Sequence, residues 1–154
     1  MLAAQGAMPR DPSRWGFEFK WDGVRAIVFC EGGHVRIESR NLLDITPRYP
    51  ELAPLGDVLA AAAPVVLDGE VVALDERGRP SFPRLQARMH VQGKAQVARL
   101  AAQSPVVLMV FDVLHLRGRD VTSLPYRRRR ELLEGLGLDS DAWKTPPTCE
   151  GYGE

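Results

Sequence analysis

Pro105 to Phe111 is a nearly continuous apolar run that ends on Asp112, the pattern of a strand buried on both faces. Such a strand needs cover on each side, so the chain must build layers around a sheet rather than leave one face in water. A second stretch, Val65 to Leu74, is apolar except at Asp68-Gly69-Glu70. It reads as two strands, Val65 to Leu67 and Glu70 to Leu74, around an Asp68-Gly69 turn.

The remaining elements follow from local pattern. Trp15 to Asp22 alternates, with Trp15, Phe17, Phe19 and Trp21 on one face and Glu18, Lys20 and Asp22 on the other, so period two predicts an extended segment with its aromatics inward. After Gly23, Val24 to Phe29 and His34 to Ser39 form a hairpin across Gly32-Gly33. Tyr49 to Ala63 is rich in Ala and Leu and predicts a helix before Pro64. Asp75 to Arg79 is a polar turn, Ser81 is placed to cap a helix over Phe82 to Met89, and Lys94 to Ala102 predicts another. Leu124 to Leu136 reads as a helix with Arg127 to Arg130 in its first half. Cations there oppose the helix dipole and call for an acidic neighbour or a bound anion, although a solvated face is the simpler reading.

At 154 residues the chain fits one domain, with an irregular leader over residues 1 to 14 and the folded portion over 15 to 154. Twenty basic and twenty acidic side chains balance, so no global field draws the protein to nucleic acid or to an anionic membrane, and any DNA contact must be local. No stretch approaches the roughly 18 apolar residues of a membrane helix and no signal peptide opens the chain, which gives a cytoplasmic expectation. Cys30 and Cys149 lack metal-site spacing and read as reduced, inert thiols. His34, His90 and His115 are scattered, so a metal role for them is discounted. Only Lys20, Lys94 and Lys144 are lysines among the twenty basic residues, which singles out each one.

Lys20 stands in Lys20-Trp21-Asp22-Gly23-Val24-Arg25, a K-x-D-G-x-R pattern. A free lysine has a pKa of about 10.4, so only about one in two thousand is neutral at pH 7, and only that form can attack an electrophile. Arg25, a divalent cation or burial can each favour the neutral form. Gly23 lets backbone approach a phosphate closely. Taken alone, the pattern also fits a surface lysine with two solvated charges. Ser39-Arg40-Asn41, Asp68-Gly69-Glu70 and the Phe111 that closes the apolar run follow in order. A guanidinium at Arg40 suits bidentate phosphate contacts, and a carboxylate at Glu70 between apolar strands needs a partner.

These four patterns, spread over residues 15 to 120, resemble those of the covalent nucleotidyltransferases, which comprise DNA ligases, RNA ligases and mRNA-capping guanylyltransferases. The flanks Phe17 to Gly23 and Pro80 to Gln86 look most like bacterial ATP-dependent DNA ligases of the end-joining and repair type. The resemblance implies an α+β, ATP-grasp-like nucleotidyltransferase (adenylation) fold, with antiparallel sheets flanked by helices and a nucleotide pocket between sheets. It implies Lys20 as the residue that takes AMP, and Glu18, Arg25, Arg40, Glu70 and Phe111 as nucleotide contacts. Within that set, Glu18 marks the adenine end, Arg40 meets ribose or the 5′-phosphate of a nick, and Phe111 stacks on adenine. Glu70 contacts ribose or helps place the metal. ATP and Mg²⁺ (or Mn²⁺) are the implied cofactors, and nicked double-stranded DNA is the implied partner of a monomer.

The E-G-x-x-x-K and K-x-K patterns of that family are not found in residues 1 to 154, since Glu150-Gly151 is followed by no lysine. The chain is therefore expected to be an incomplete adenylation domain, with later motifs and the OB-fold domain missing, and with negligible ligation by itself. Two alternatives stay open: a non-catalytic nucleotide- or DNA-binding remnant, and an enzyme of the RNA ligase or capping type.

Overall fold

The computed structural model describes residues 6–150; the first five positions of the expected leader, and the Gly151 to Glu154 end, lie outside the described residues. A 3-10 turn at Pro12–Arg14 leads into β1 (Gly16–Phe17), β2 (Val24–Glu31) and β3 (His34–Ser39). Two 3-10 turns, Thr46–Arg48 and Pro50–Leu52, then precede α1 (Leu55–Val58), a third turn at Ala60–Ala62, and β4 (Val65–Ala73). Next come α2 (Phe82–Met89), α3 (Lys94–Gln103), β5 (Val106–Leu116), β6 (Arg119–Asp120) and α4 (Tyr126–Glu134), followed by β7 (Trp143–Lys144) and β8 (Cys149–Glu150).

The main sheet runs β3-β2-β4-β5-β6 with antiparallel neighbours, β7 adds to β5 in parallel, and β1 pairs with β8 in a separate ribbon. Mixed helix and antiparallel strand is thus the architecture. One face of the sheet carries Ala26, Val28, Leu67, Val71, Leu108 and Val110 into the main core, where Leu55, Leu59, Leu85 and Leu133 of the helical segments cover it. The opposite face carries Val72, Val107 and Met109 with Trp21 against them. Both faces of β5 are covered along Val106 to Val110, as its apolar run requires.

Four expectations are corrected. The Asp68-Gly69 step is no turn between two strands: Val65 to Ala73 is one strand, and the irregularity is a bulge, where Asp68 pairs with Asp112 and Gly69 with Val110. A Cβ on Gly69 would lie 2.7 Å from the Met109 carbonyl oxygen, so glycine lets the two strands close at the bulge. The helix read over Tyr49 to Ala63 is broken into short turns, with Pro50 and Pro54 interrupting the ladder. Ser81 precedes α2 without a side-chain capping bond. Finally, the four aromatics do not share one inward face: Phe17 and Trp21 are partly buried, with Trp21 against the second core cluster, but the other two are not. Trp15 and Phe19 are 58% and 69% exposed, because the chain pairs with a partner strand only at Gly16 and Phe17 and residues 18–22 lie in no strand.

The segment between β3 and α1 is fixed from below by Arg88, which is 1% exposed. Its guanidinium donates to both Glu51 oxygens at 2.7 and 3.1 Å and to the Arg48 and Ser104 carbonyls at 2.7 Å each. Such a satisfied buried cation holds the turn that forms one wall of the cleft described next.

Candidate active site

The register of β2 on β4 sets Arg25 directly opposite Glu70, on the sheet face away from the main core. Gly23 enables the approach just before that pair: a Cβ there would run into the Val71 carbonyl oxygen and sit 3.0 Å from Cγ of Glu70. The glycine of K-x-D-G-x-R therefore serves strand packing as well as any phosphate, a use that its place in the motif does not reveal. The Gly23 backbone N–H in turn donates to the Glu70 carboxylate.

Arg25 is held rather than free. Its Nε and Nη2 donate to the two oxygens of Asp68, which is 6% exposed, and its guanidinium carbon lies 4.8 Å from the centroid of the Phe111 ring. The Asp68 hydrogen bond, together with the nearby charges of Asp68, Glu70 and Asp112, raises the Arg25 pKa against the opposing effect of burial. Its charge is fixed at any working pH. Asp68 is absent from the residues expected at the site, although the rule that a carboxylate among apolar strands needs a partner applies to it more strongly than to Glu70.

Glu70 is half-buried, and burial, the largest cause, pushes its pKa above the ordinary carboxylate value. Arg25, the Gly23 N–H and Lys20 pull it back down, while Asp68 pushes it up. The Lys20 charge is thus felt at Glu70, although Lys20 itself is exposed, on the segment between β1 and β2. Arg40 is exposed at the end of β3. A cleft of about 580 Å³ is lined by Gly23, Arg25, Ser39, Arg40, Asn41 and Glu70, with Arg48 and the apolar Ile45, Tyr49 and Met89 completing its walls. It opens along β2, the end of β3 and β4, not between two sheets. Arg25, Arg40 and Glu70 share this cleft, while Phe111 lies behind Arg25.

Glu18 sits apart from the cleft. Its carboxylate accepts the Tyr126 hydroxyl at 2.5 Å and lies 3.5 Å from Arg130 Nη1. Of the α4 arginines, Arg127 and Arg128 are exposed, as on a solvated face, while Arg129 and Arg130 turn inward. Arg129 donates to both Asp112 oxygens at 2.9 and 2.8 Å, Arg130 is 7% exposed and donates to Glu134 at 2.8 Å and to the Pro146 carbonyl, and Arg128 pairs with Glu131. These carboxylates supply the negative charge that a helix N-terminus crowded with cations demands. Cys30 is buried, its thiol pushed up to about 11 by burial, and Cys149 is exposed and unpaired; the first is an inert thiol.

Among the described residues, no cluster of three or more His, Cys, Asp or Glu is arranged to hold a metal ion, and no helix is long and apolar enough to cross a membrane. A divalent cation at Glu70 would have one protein carboxylate. That fits Mg²⁺, which keeps water ligands and binds one or two carboxylates together with substrate phosphates.

Comparisons with known proteins give the family and the fold. The ATP dependent DNA ligase domain family matches residues 3–145. The multifunctional non-homologous end joining DNA repair protein LigD of Mycobacterium tuberculosis (strain H37Rv) is 41% identical over 137 residues, which is 88% of this chain and 16% of that protein. DNA ligase C1 of Mycolicibacterium smegmatis is 38% identical over 148 residues, 93% of this chain and 41% of that protein. A solved structure described as mycobacterial DNA ligase D complexed with ATP and MES superposes with a TM-score of 0.80 at 37% identity, covering 99% of this chain and 46% of that one. This chain therefore spans less than half the length of each of these relatives.

Proposed function

The chain belongs to the ATP-dependent DNA ligase domain family, and from that premise we propose that residues 15 to 154 are the part of a ligase adenylation domain that receives AMP on Lys20. The Lys20 amine, in its neutral form, attacks the α-phosphorus of ATP. An N–P bond forms, the bond from the α-phosphorus to the bridging oxygen breaks, pyrophosphate leaves, and the amine proton goes to solvent. AMP then passes to the 5′-phosphate of a nick, and the adjacent 3′-hydroxyl displaces it to seal the strand. The sealing steps are those of a full-length ligase, which works in this scheme as a cytoplasmic monomer on nicked double-stranded DNA, and ligation by residues 1 to 154 alone is expected to be negligible.

The observation that carries the proposal is the convergence around Arg25. It faces Glu70 across the β2–β4 ladder, lies over Phe111, and opens into the cleft that also holds Arg40, while Glu70 feels the charge of Lys20. In the proposed roles, Arg25 and Arg40 meet phosphate or ribose oxygens, Phe111 offers its ring to the adenine, and Glu18 stands at the adenine end. Glu70 holds ribose or, with the nucleotide's own phosphates, Mg²⁺ or Mn²⁺. A bound divalent cation supplies charge neutralisation of the phosphates.

Incubation with α-labelled ATP and Mg²⁺ tests the proposal. The chain is expected to carry label that survives denaturation and is absent from Lys20→Ala. Nucleotide that binds but washes away on denaturation favours a non-catalytic binding module, and labelling by GTP in preference to ATP favours a capping-type enzyme.

A further inference from the structure

Residues 18–22, which include Lys20, lie outside every strand and helix. Two carboxylates anchor this segment at its ends. At its far end Glu70 accepts the Gly23 N–H, and at its near end the Glu18 carboxylate is gripped from α4.

The α4 contact has three parts. Tyr126 donates its hydroxyl to Glu18 at 2.5 Å across a separation of 108 residues. The Tyr126 ring lies against the strand just before, since a Cβ on Gly16 would be 3.3 Å from its Cε1. Arg130 Nη1 is buried without a hydrogen-bond partner and points at Glu18 from 3.5 Å. The same helix reaches the other side of the site, where Arg129 makes its bidentate pair with Asp112, the residue after Phe111. The first turns of α4 thus tie the lysine segment to the middle of β5, beside Phe111. Burial, then the Glu18 hydrogen bond, push the Tyr126 phenol pKa up, which keeps its proton in place as a donor.

We propose that Tyr126, backed by Arg130, is a positioning residue: through Glu18 it sets where the Lys20 amine stands relative to Phe111 and Arg25. This rests on the reading of Lys20 as the attacking group. A brace of this kind acts on orientation, and orientation governs the rate of attack more than the affinity for nucleotide.

The test uses the full chain, with Tyr126→Phe, Glu18→Gln and the double variant, in single-turnover labelling by α-labelled ATP. Removing the hydroxyl leaves the ring packing intact, and the labelling rate at saturating ATP is expected to fall about tenfold, the scale of one hydrogen bond to a charged group. For Tyr126→Phe the ATP concentration for half-maximal rate is expected to change less than about twofold, and the double variant is expected to be no slower than Glu18→Gln, because the two groups act as one unit. An unchanged rate, a loss confined to ATP affinity, or additive losses overturn the proposal. Amide hydrogen exchange tests the brace independently of the chemistry. Tyr126→Phe is expected to speed exchange over residues 18–22 about tenfold without changing β4 or β5, and equal exchange in the two proteins overturns the brace. Absence of label from the unsubstituted chain sinks the Lys20 reading, while hydrogen exchange still decides for or against the brace.

Discussion

The β2–β4–β5 platform and the lysine segment solve opposite problems. On the platform, Arg25, Asp68, Glu70 and Phe111 are fixed by ladder registers, by a bulge that needs glycine, and by a core with Val28, Leu67 and Leu108 fully buried. The lysine segment has no ladder, exposes Phe19 and Lys20, and is held at its ends by side chains. Groups that bind a nucleotide gain from rigidity, because they lose no conformational entropy when it arrives. A nucleophile that must first meet one partner and then release its adduct to another is better placed on a segment that can move. The stability of the protein should therefore reside in the platform, and the chemistry in the segment.

That contrast can be broken by substitution. The largest effect on stability is expected from Leu67→Ala, which empties a fully buried position in the middle of β4. A loss of about 3 kcal/mol in denaturant unfolding is predicted, and a loss under about 1 kcal/mol would mean the platform is not the core. Gly69→Ala should come next, at about 2 kcal/mol, because the new Cβ meets backbone at 2.7 Å and the bulge must open. Retention of full stability by that variant would remove the steric account of the bulge.

Glu70 supplies a pH test on the platform's edge. Burial raises its folded pKa above the unfolded value, so its stabilising contribution is present below the unfolded carboxylate pKa and lost as pH rises through the folded one. Glu70→Gln is thus expected to unfold at higher denaturant than the unsubstituted chain above that window, with the gap closing below about pH 4. A gap that grows toward acid would reverse the sign. Smallest of all should be Lys20→Ala, an exposed position, with stability changed by less than about 0.5 kcal/mol. A large loss there would erase the distinction between the two regions.

Legibility in the sequence follows the same division. Elements whose partners are local or whose pattern is dense could be read: the β2–β3 hairpin across Gly32-Gly33, α2 and α3, and the apolar run of β5. The continuous β4 could not, because its bulge is made by the opposing residue Phe111 and leaves no mark in the periodicity of Val65 to Ala73. The aromatic alternation misled for a related reason: period two describes a strand only where a partner strand exists, and pairing stops after Phe17. Arg129 and Arg130 looked like surface charge because Asp112, Glu18 and Pro146 lie far away in sequence. Asp68 was within reach, as a carboxylate flanked by Val65, Val66 and Leu67, but its partner Arg25 is 43 positions away.

Peptide mapping by mass spectrometry, after incubation with ATP and Mg²⁺ followed by denaturation, tests the central claim most directly. With Lys20, Lys94 and Lys144 as the only lysines, the account predicts an adenylate adduct on the peptide that contains Lys20 and on neither of the others. An adduct on Lys94 or Lys144, or bound ATP with no adduct at all, would contradict it.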